Sequence, residues 1–331
     1  SAVTYETAFR SGDDVDTTAS AYYGPRIDYD PNTLAVKGLL IEPLAATNYC
    51  PYSSALSSWT ASGVTLTNNT GATLDPSGLN TASILNPTGG TTASAFSVNF
   101  SASASTEYTG SVFVKSNGSN FGGFGFYDVT NAVLYVAVFN LTTGANTFAT
   151  AGVTALTSEN IGNGWWRVSA KWTSAGSTAL ITPVVYSWST GVGGNATASD
   201  KLFFWGPQFE KNFEASSYIA NPSTGTTTRA PDNVQFAGAA ATTLSSANFS
   251  SIVEGRIKTA NASGVILIGG TFAFGVHLYS TSNTTARAYD GTRSQVYGDV
   301  TSGGAAWSAG SRAGVAASPS GTSLAMAGGT V

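Results

Sequence analysis

Val133-Leu134-Tyr135-Val136-Ala137-Val138-Phe139 is an unbroken apolar run, mostly β-branched or aromatic, with Asn and Thr on both flanks. A run this short and this composed suits a buried strand better than a helix. Ser111-Val112-Phe113-Val114-Lys115 and Leu202-Phe203-Phe204-Trp205 repeat the pattern, and Gly/Asn/Ser/Thr clusters separate such runs at spacings typical of antiparallel strands. Nowhere do apolar residues hold a period of 3.6 over three turns, so only one short helical turn, near residues 54–59, is expected. From about 47 to 229 the sequence therefore predicts an all-β fold, an antiparallel β-sandwich.

Upstream, residues 1–46 open on Asp13, Asp14 and Asp16 and reach Gly38-Leu39-Leu40-Ile41-Glu42-Pro43, a short apolar segment between Gly and Pro. They read as an extended arm that attaches to something larger. Downstream, residues 221–231 are polar and Pro-bracketed, in the manner of a linker. Strand-like runs resume after it, and residues 230–331 are expected to form a second β-sandwich that ends before it is closed.

Charged residues are only 10% of the 331, while Gly accounts for 38. Low charge with much Gly and Ser can mean disorder, but 7 Trp, 14 Tyr and 17 Phe supply material for a core. The net charge of −4 and the lack of any Lys/Arg cluster argue against nucleic acid. No apolar stretch approaches the roughly 20 residues that cross a bilayer, and we expect neither membrane insertion nor a signal peptide. Cys50, the one cysteine, has no partner for an internal disulfide and reads as a small buried filler.

Several segments in order resemble a module frequent in the tail fibres, tailspikes and other virion proteins of bacteriophages. These are Pro25-Arg26-Ile27-Asp28-Tyr29-Asp30-Pro31, Gly38-Leu39-Leu40-Ile41-Glu42, Thr47-Asn48-Tyr49, Tyr52-Ser53 and Trp59-Thr60. Gly162-Asn163-Gly164-Trp165-Trp166-Arg167-Val168, Trp205-Gly206-Pro207-Gln208-Phe209-Glu210, Ala215-Ser216-Ser217-Tyr218-Ile219 and Thr228-Arg229-Ala230 complete the set. The resemblance implies a carbohydrate-binding-module-like jelly roll behind a short arm and, more weakly after 231, a laminin-G/concanavalin-like sandwich. It also implies a virion location, self-association as a homotrimer, other virion proteins as partners of the arm, and bacterial surface polysaccharide as ligand. Two stretches depart from the usual pattern, 45–49 and the Gly- and Phe-rich 120–130, and both are expected at loop or surface positions.

Within these motifs, Gly162-Asn163-Gly164 is turn chemistry ahead of a strand whose Trp165 and Trp166 point to opposite faces. Trp205, Pro207 and Phe209 alternate onto one face of another strand, which Pro207 should make an edge or a bulge. Gln208 and Glu210 fall on the other face, where hydrogen bonds to a loop would pin the end of the module. Trp165, Arg167, Trp205, Gln208 and Glu210 are accordingly read as structural.

Hydrolysis of a glycan needs paired carboxylates at a set separation. Asp75, Asp128, Glu159, Asp200, Glu210 and Glu214 are scattered, and we read them as solvated turn residues. His277 is the single histidine, which excludes a multi-His metal site within one chain. Gly122-Gly123-Phe124-Gly125 lacks the strand-to-helix setting of a nucleotide loop. We therefore expect no enzyme and no cofactor. A structural Ca²⁺ would suit a jelly roll, yet no residues can be assigned to it. The chemistry left is sugar binding, by aromatics on a solvated face: Tyr127, Tyr135, Tyr186 and Trp188. Against it stands the reading that these rings fill a core or an inter-chain interface. The function expected is adhesion, with an architectural head, collar or neck fibre and a binding appendage of a depolymerase as the alternatives.

Overall fold

The computed structural model describes residues 44–231 except Thr91, together with the strands Ile27–Tyr29 and Val36–Leu39 and a few of their neighbours. Beyond 231 it describes the backbone of seven strands. The chain divides into two compact units, Ser1–Asp232 and Asn233–Val331.

The first unit is an antiparallel β-sandwich of jelly-roll type. One sheet has seven strands. Asn146–Ala149, Val133–Asn140, Phe121–Asp128, Ala179–Trp188, Ala93–Phe96 and Thr60–Ser62 run across it in that order, and Phe100–Ala102 also pairs with Ala179–Trp188. The other has six: Val153–Gly162, Trp165–Thr173, Glu107–Ser116, Leu202–Glu210, Ser83–Pro87 and Val64–Thr67. The chain passes repeatedly from one sheet to the other, so the two are interleaved in sequence. Only one 3₁₀ turn, Leu56–Ser58, interrupts the strands of this unit among the described residues.

Alternation decides what lies between the sheets. Phe124, Phe126 and Phe139 from the seven-stranded sheet meet Tyr108, Val112, Trp172, Phe204 and Phe209 from the six-stranded one. Phe126 sits 4.9 Å from Trp172 and 5.4 Å from Phe209, ring centre to ring centre. Cys50 lies in the same core, fully buried, and that burial pushes its thiol pKa well up.

The ends of the unit are tied together. Ala46–Asn48 pairs with Thr227–Arg229, so the stretch read as a linker belongs to this unit up to Arg229. The buried Asn48 side chain accepts from the Cys50 and Phe209 amides and donates to Ser53 and the Ile219 carbonyl. Glu42 accepts from Ser217 and pairs with Arg229 at 3.2 Å.

Two expectations are corrected here. The segment 120–130, expected at loop or surface positions, is mostly the strand Phe121–Asp128, paired on both sides and buried over most of its length. Trp205 and Phe209 do not share a face. The register shifts between Trp205 and Gln208, where Gly206 has a φ of 56°, and the bulge turns Phe209 into the core while Trp205 faces away.

The second unit contains a three-stranded sheet (Ser251–Arg256, Arg312–Ala317, Ala325–Gly329) and a four-stranded one (Gly264–Ile268, Phe274–Leu278, Thr285–Tyr289, Val296–Thr301), both antiparallel. His277 falls on Phe274–Leu278; its side chain is outside the described residues. So are the first 26 residues, including Asp13, Asp14 and Asp16.

Candidate functional site

Register fixes which residues share the face of the seven-stranded sheet turned away from the core. One row across it reads Ser62, Ser94, Tyr186, Gly123, Val138, Phe148. The next reads Thr60, Phe96, Val184, Gly125, Val136. Trp188, Phe121 and Asn140 stand at one end, and Thr182, Tyr127 and Leu134 at the other.

Tyr186 and Trp188, two positions apart on one strand, stack at 4.7 Å with 16° between their planes. Val136, Val138, Val184, Phe96 and Phe121 pack with them into an apolar cluster separate from the core. The bare Gly123 and Gly125 make the strand fit: a Cβ at either would collide with the carbonyl oxygen of Ala137 or Tyr135 on the next strand. The 189–194 loop borders the Trp188 end, with Gly191 beside the Phe121 ring and Gly193 beside the indole nitrogen.

The polar atoms on this face matter most. Tyr186 is 7% exposed, Trp188 4% and Ser94 6%. Among the described residues, neither the Tyr186 hydroxyl, the Trp188 Nε1–H nor the Ser94 hydroxyl has a hydrogen-bond partner. All three atoms still reach solvent. Burial pushes the Tyr186 hydroxyl up to about 12, so it stays protonated and can both donate and accept.

Of the four aromatics proposed from sequence, the structure brings Tyr186 and Trp188 together and puts Tyr127 on the same face, 38% exposed and opposite Leu134 and Thr182. Tyr135 is corrected: it is paired with Phe126, stacks on it at 5.6 Å and packs against Trp172, on the core side. Ser94 and Ser62 went unnoticed in the sequence. They sit in short Ala/Ser strands that carry no signal until the register places them beside Tyr186.

The six-stranded sheet presents a different outer face. Trp165, Phe113, Phe203, Ile84 and Ala82 form a cluster there, with Trp205 and Tyr218 against it. Trp166, on the opposite face of its strand, packs on the main core. The 68–82 loop holds the cluster down: Trp165 donates to the Leu74 carbonyl and Trp205 to Thr81. Arg167 lies 5.1 Å over the Phe113 ring and donates to Ser111 and the Ser216 carbonyl. Burial lowers its pKa, opposed by the charges of Glu210, Glu159 and Glu42.

Gln208 receives the Ile219 amide and donates to Glu210, which also accepts from Asn212 and from the Ser216 amide and hydroxyl. Burial raises the Glu210 pKa, while the bonds from Ser216 and Gln208 and the charge of Arg167 pull it back.

Three of the six acids differ from the expectation of solvated turn residues. Asp75, Asp128 and Glu210 are buried, each because it gathers the donors of its own turn or loop. Asp75 alone accepts from Ser77, Leu79 and Thr81. Asp128 accepts from Asn131, and Asp200 from Thr197. Among the described residues, no three His, Cys, Asp or Glu side chains gather as metal ligands would. No described helix is long and apolar enough to cross a membrane.

No family model matches the sequence, and no curated protein matches it. Among solved structures the chain is similar to the Clostridium thermocellum endo-1,4-β-D-xylanase 10B, its CBM22-1 and GH10 modules complexed with xylohexaose. Identity is 18%, the TM-score 0.30, and the match covers 55% of this chain and 30% of that one. The chain thus spans less than a third of that structure, and a likeness of this size carries no argument about function.

Proposed function

We propose that this protein is a non-catalytic sugar-binding component of a bacteriophage particle, a tail-fibre or spike-type subunit that adheres to bacterial surface glycan. The observation that carries the sugar reading is the outer face of the seven-stranded sheet. The partly buried Phe96 and Phe121 and the exposed Tyr127 and Phe148 present apolar surface there, around the largely buried stack of Tyr186 on Trp188. Tyr186, Trp188 and Ser94 hold hydrogen-bonding atoms with no partner among the described residues. These atoms still reach solvent, so a ligand with hydroxyls of its own can replace the water at them with matching hydrogen bonds. Sugar rings fit such a surface, because their CH faces pack on aromatics while their hydroxyls seek donors and acceptors.

The virion setting rests on the ordered motifs from Pro25 to Ala230 and on a composition poor in charge. Three copies would raise a weak single-site affinity by about a hundredfold or more through avidity. The test is binding of the full chain to host cells or isolated surface polysaccharide. Trp188→Ala should abolish it while the circular dichroism spectrum stays that of a β-sandwich; undiminished binding by a folded variant would sink the reading. Native mass should be three times the 33.7 kDa of the chain.

One observation favours a second, architectural reading. Val129, Leu134, Phe148 and Leu180 are exposed apolar residues of the same sheet and the turn beside it, and such a patch also suits contact with another chain.

A further inference from the structure

We infer that the glycan this face takes is uncharged, so that the site rejects acidic polysaccharides bearing uronate, sialate or phosphate groups. The inference rests on the sugar-binding reading and adds the substrate class. Across all seven strands of this sheet the single charged residue is Asp128. It lies at a strand end, buried and bonded to Asn131. The connections that border the face, 97–99, 129–132, 141–145, 150–152 and 189–199, contain no Asp, Glu, Lys, Arg or His. The nearest charges along the chain are Asp200, already bonded to Thr197, and Lys201. The other sheet is the contrast, since Glu107, Lys115, Glu159, Arg167, Lys171 and Glu210 all fall on its strands.

What the face does offer is neutral. Ser62, Ser94 and Tyr186 form a cross-strand row of hydroxyls, and the Trp188 indole N–H and the Tyr127 phenol lie on the same face. Hydroxyls that donate and accept match sugar hydroxyls. A carboxylate or phosphate brought against this apolar cluster would shed water and find no cation in return. No Lys or Arg on the strands of this sheet is there to steer anions towards it.

The test is affinity electrophoresis of the full chain in gels containing neutral polymers (dextran, mannan, xylan, mixed-linkage β-glucan) or acidic ones (polygalacturonate, alginate, polysialic acid). We expect retention by at least one neutral polymer, about tenfold or more stronger than by any acidic one. Retention should hold in about 1 M NaCl, where charges further apart than about 3 Å are screened. Tyr186→Phe keeps the ring and removes the hydroxyl, and should weaken retention by about three- to tenfold without unfolding the chain.

Preferential, salt-sensitive retention by an acidic polymer that Tyr186→Phe still weakens would overturn the uncharged ligand and leave the face as a sugar site. Retention by no polymer, or retention indifferent to both Tyr186→Phe and Trp188→Ala, would overturn the sugar-binding reading itself and this inference with it.

Discussion

The two sheets of the first unit each carry an aromatic cluster on the side away from the core, and the clusters have opposite fates. On the six-stranded sheet, Trp165 and Trp205 spend their indole N–H groups on the 68–82 loop, and Tyr218 spends its hydroxyl on Ser53. Arg167, Gln208 and Glu210 are occupied in holding the 212–219 segment. On the seven-stranded sheet, among the described residues, no such loop engages the polar atoms of Tyr186, Trp188 and Ser94. The difference teaches that aromatic content does not mark a binding face. What separates a second core from a site is whether the polar edges of the rings have already been satisfied by the chain's own loops.

That contrast breaks most readily at Trp165, which is 2% exposed and loses both packing and its bond to Leu74 when truncated. Trp165→Ala should cost about 3–5 kcal/mol by urea unfolding. A cost below about 1 kcal/mol would mean that the six-stranded face is not a second core at all.

A smaller effect sharpens the same distinction through pH. The Glu210 carboxyl titrates higher in the folded chain than its ordinary 4.5, because burial disfavours the anion. The folded state then holds a proton that the unfolded state has released. Its contribution to stability is complete below about pH 4.5 and declines as pH rises to the folded value, with a slope of at most about 1.4 kcal/mol per pH unit. Comparing urea midpoints of wild type and Glu210→Gln from pH 4 upwards should show that decline in the wild type alone. An identical profile in both would assign the pH dependence to other groups.

How far these faces were legible in the sequence differs residue by residue. Runs such as Val133–Phe139 announce strands because few other structures bury so many β-branched side chains in so short a stretch. Alternation then says which residues share a face, but not which face is the core. Tyr127 and Tyr135 look equivalent until the pairing of Phe126 with Tyr135 sends one ring inward and leaves the other out. The bulge at Gly206 defeats alternation outright, since one extra residue reverses the side of everything after it. Ser94 stayed invisible for a different reason. An unpartnered hydroxyl is a property of its neighbours across the sheet, and no local pattern encodes it. The buried acids were missed likewise, because the amides that satisfy Asp75 come from how its turn closes.

The smallest expected effect on stability decides between the two uses of the open face. Tyr127 and Leu134 face each other across adjacent strands at its exposed end, 38% and 41% exposed. Truncating either should change stability by no more than about 0.5 kcal/mol. If the face takes sugar, Tyr127→Ala removes a ring and a phenol that a ligand would touch. Glycan binding should then fall several-fold with native mass unchanged, while Leu134→Ala does less. If the face instead packs against another chain, Leu134→Asp puts a charge into an apolar contact and should lower the native mass, and Tyr127→Ala should leave glycan binding alone. The two variants respond in opposite order under the two readings, so one set of binding and mass measurements separates them without disturbing the fold.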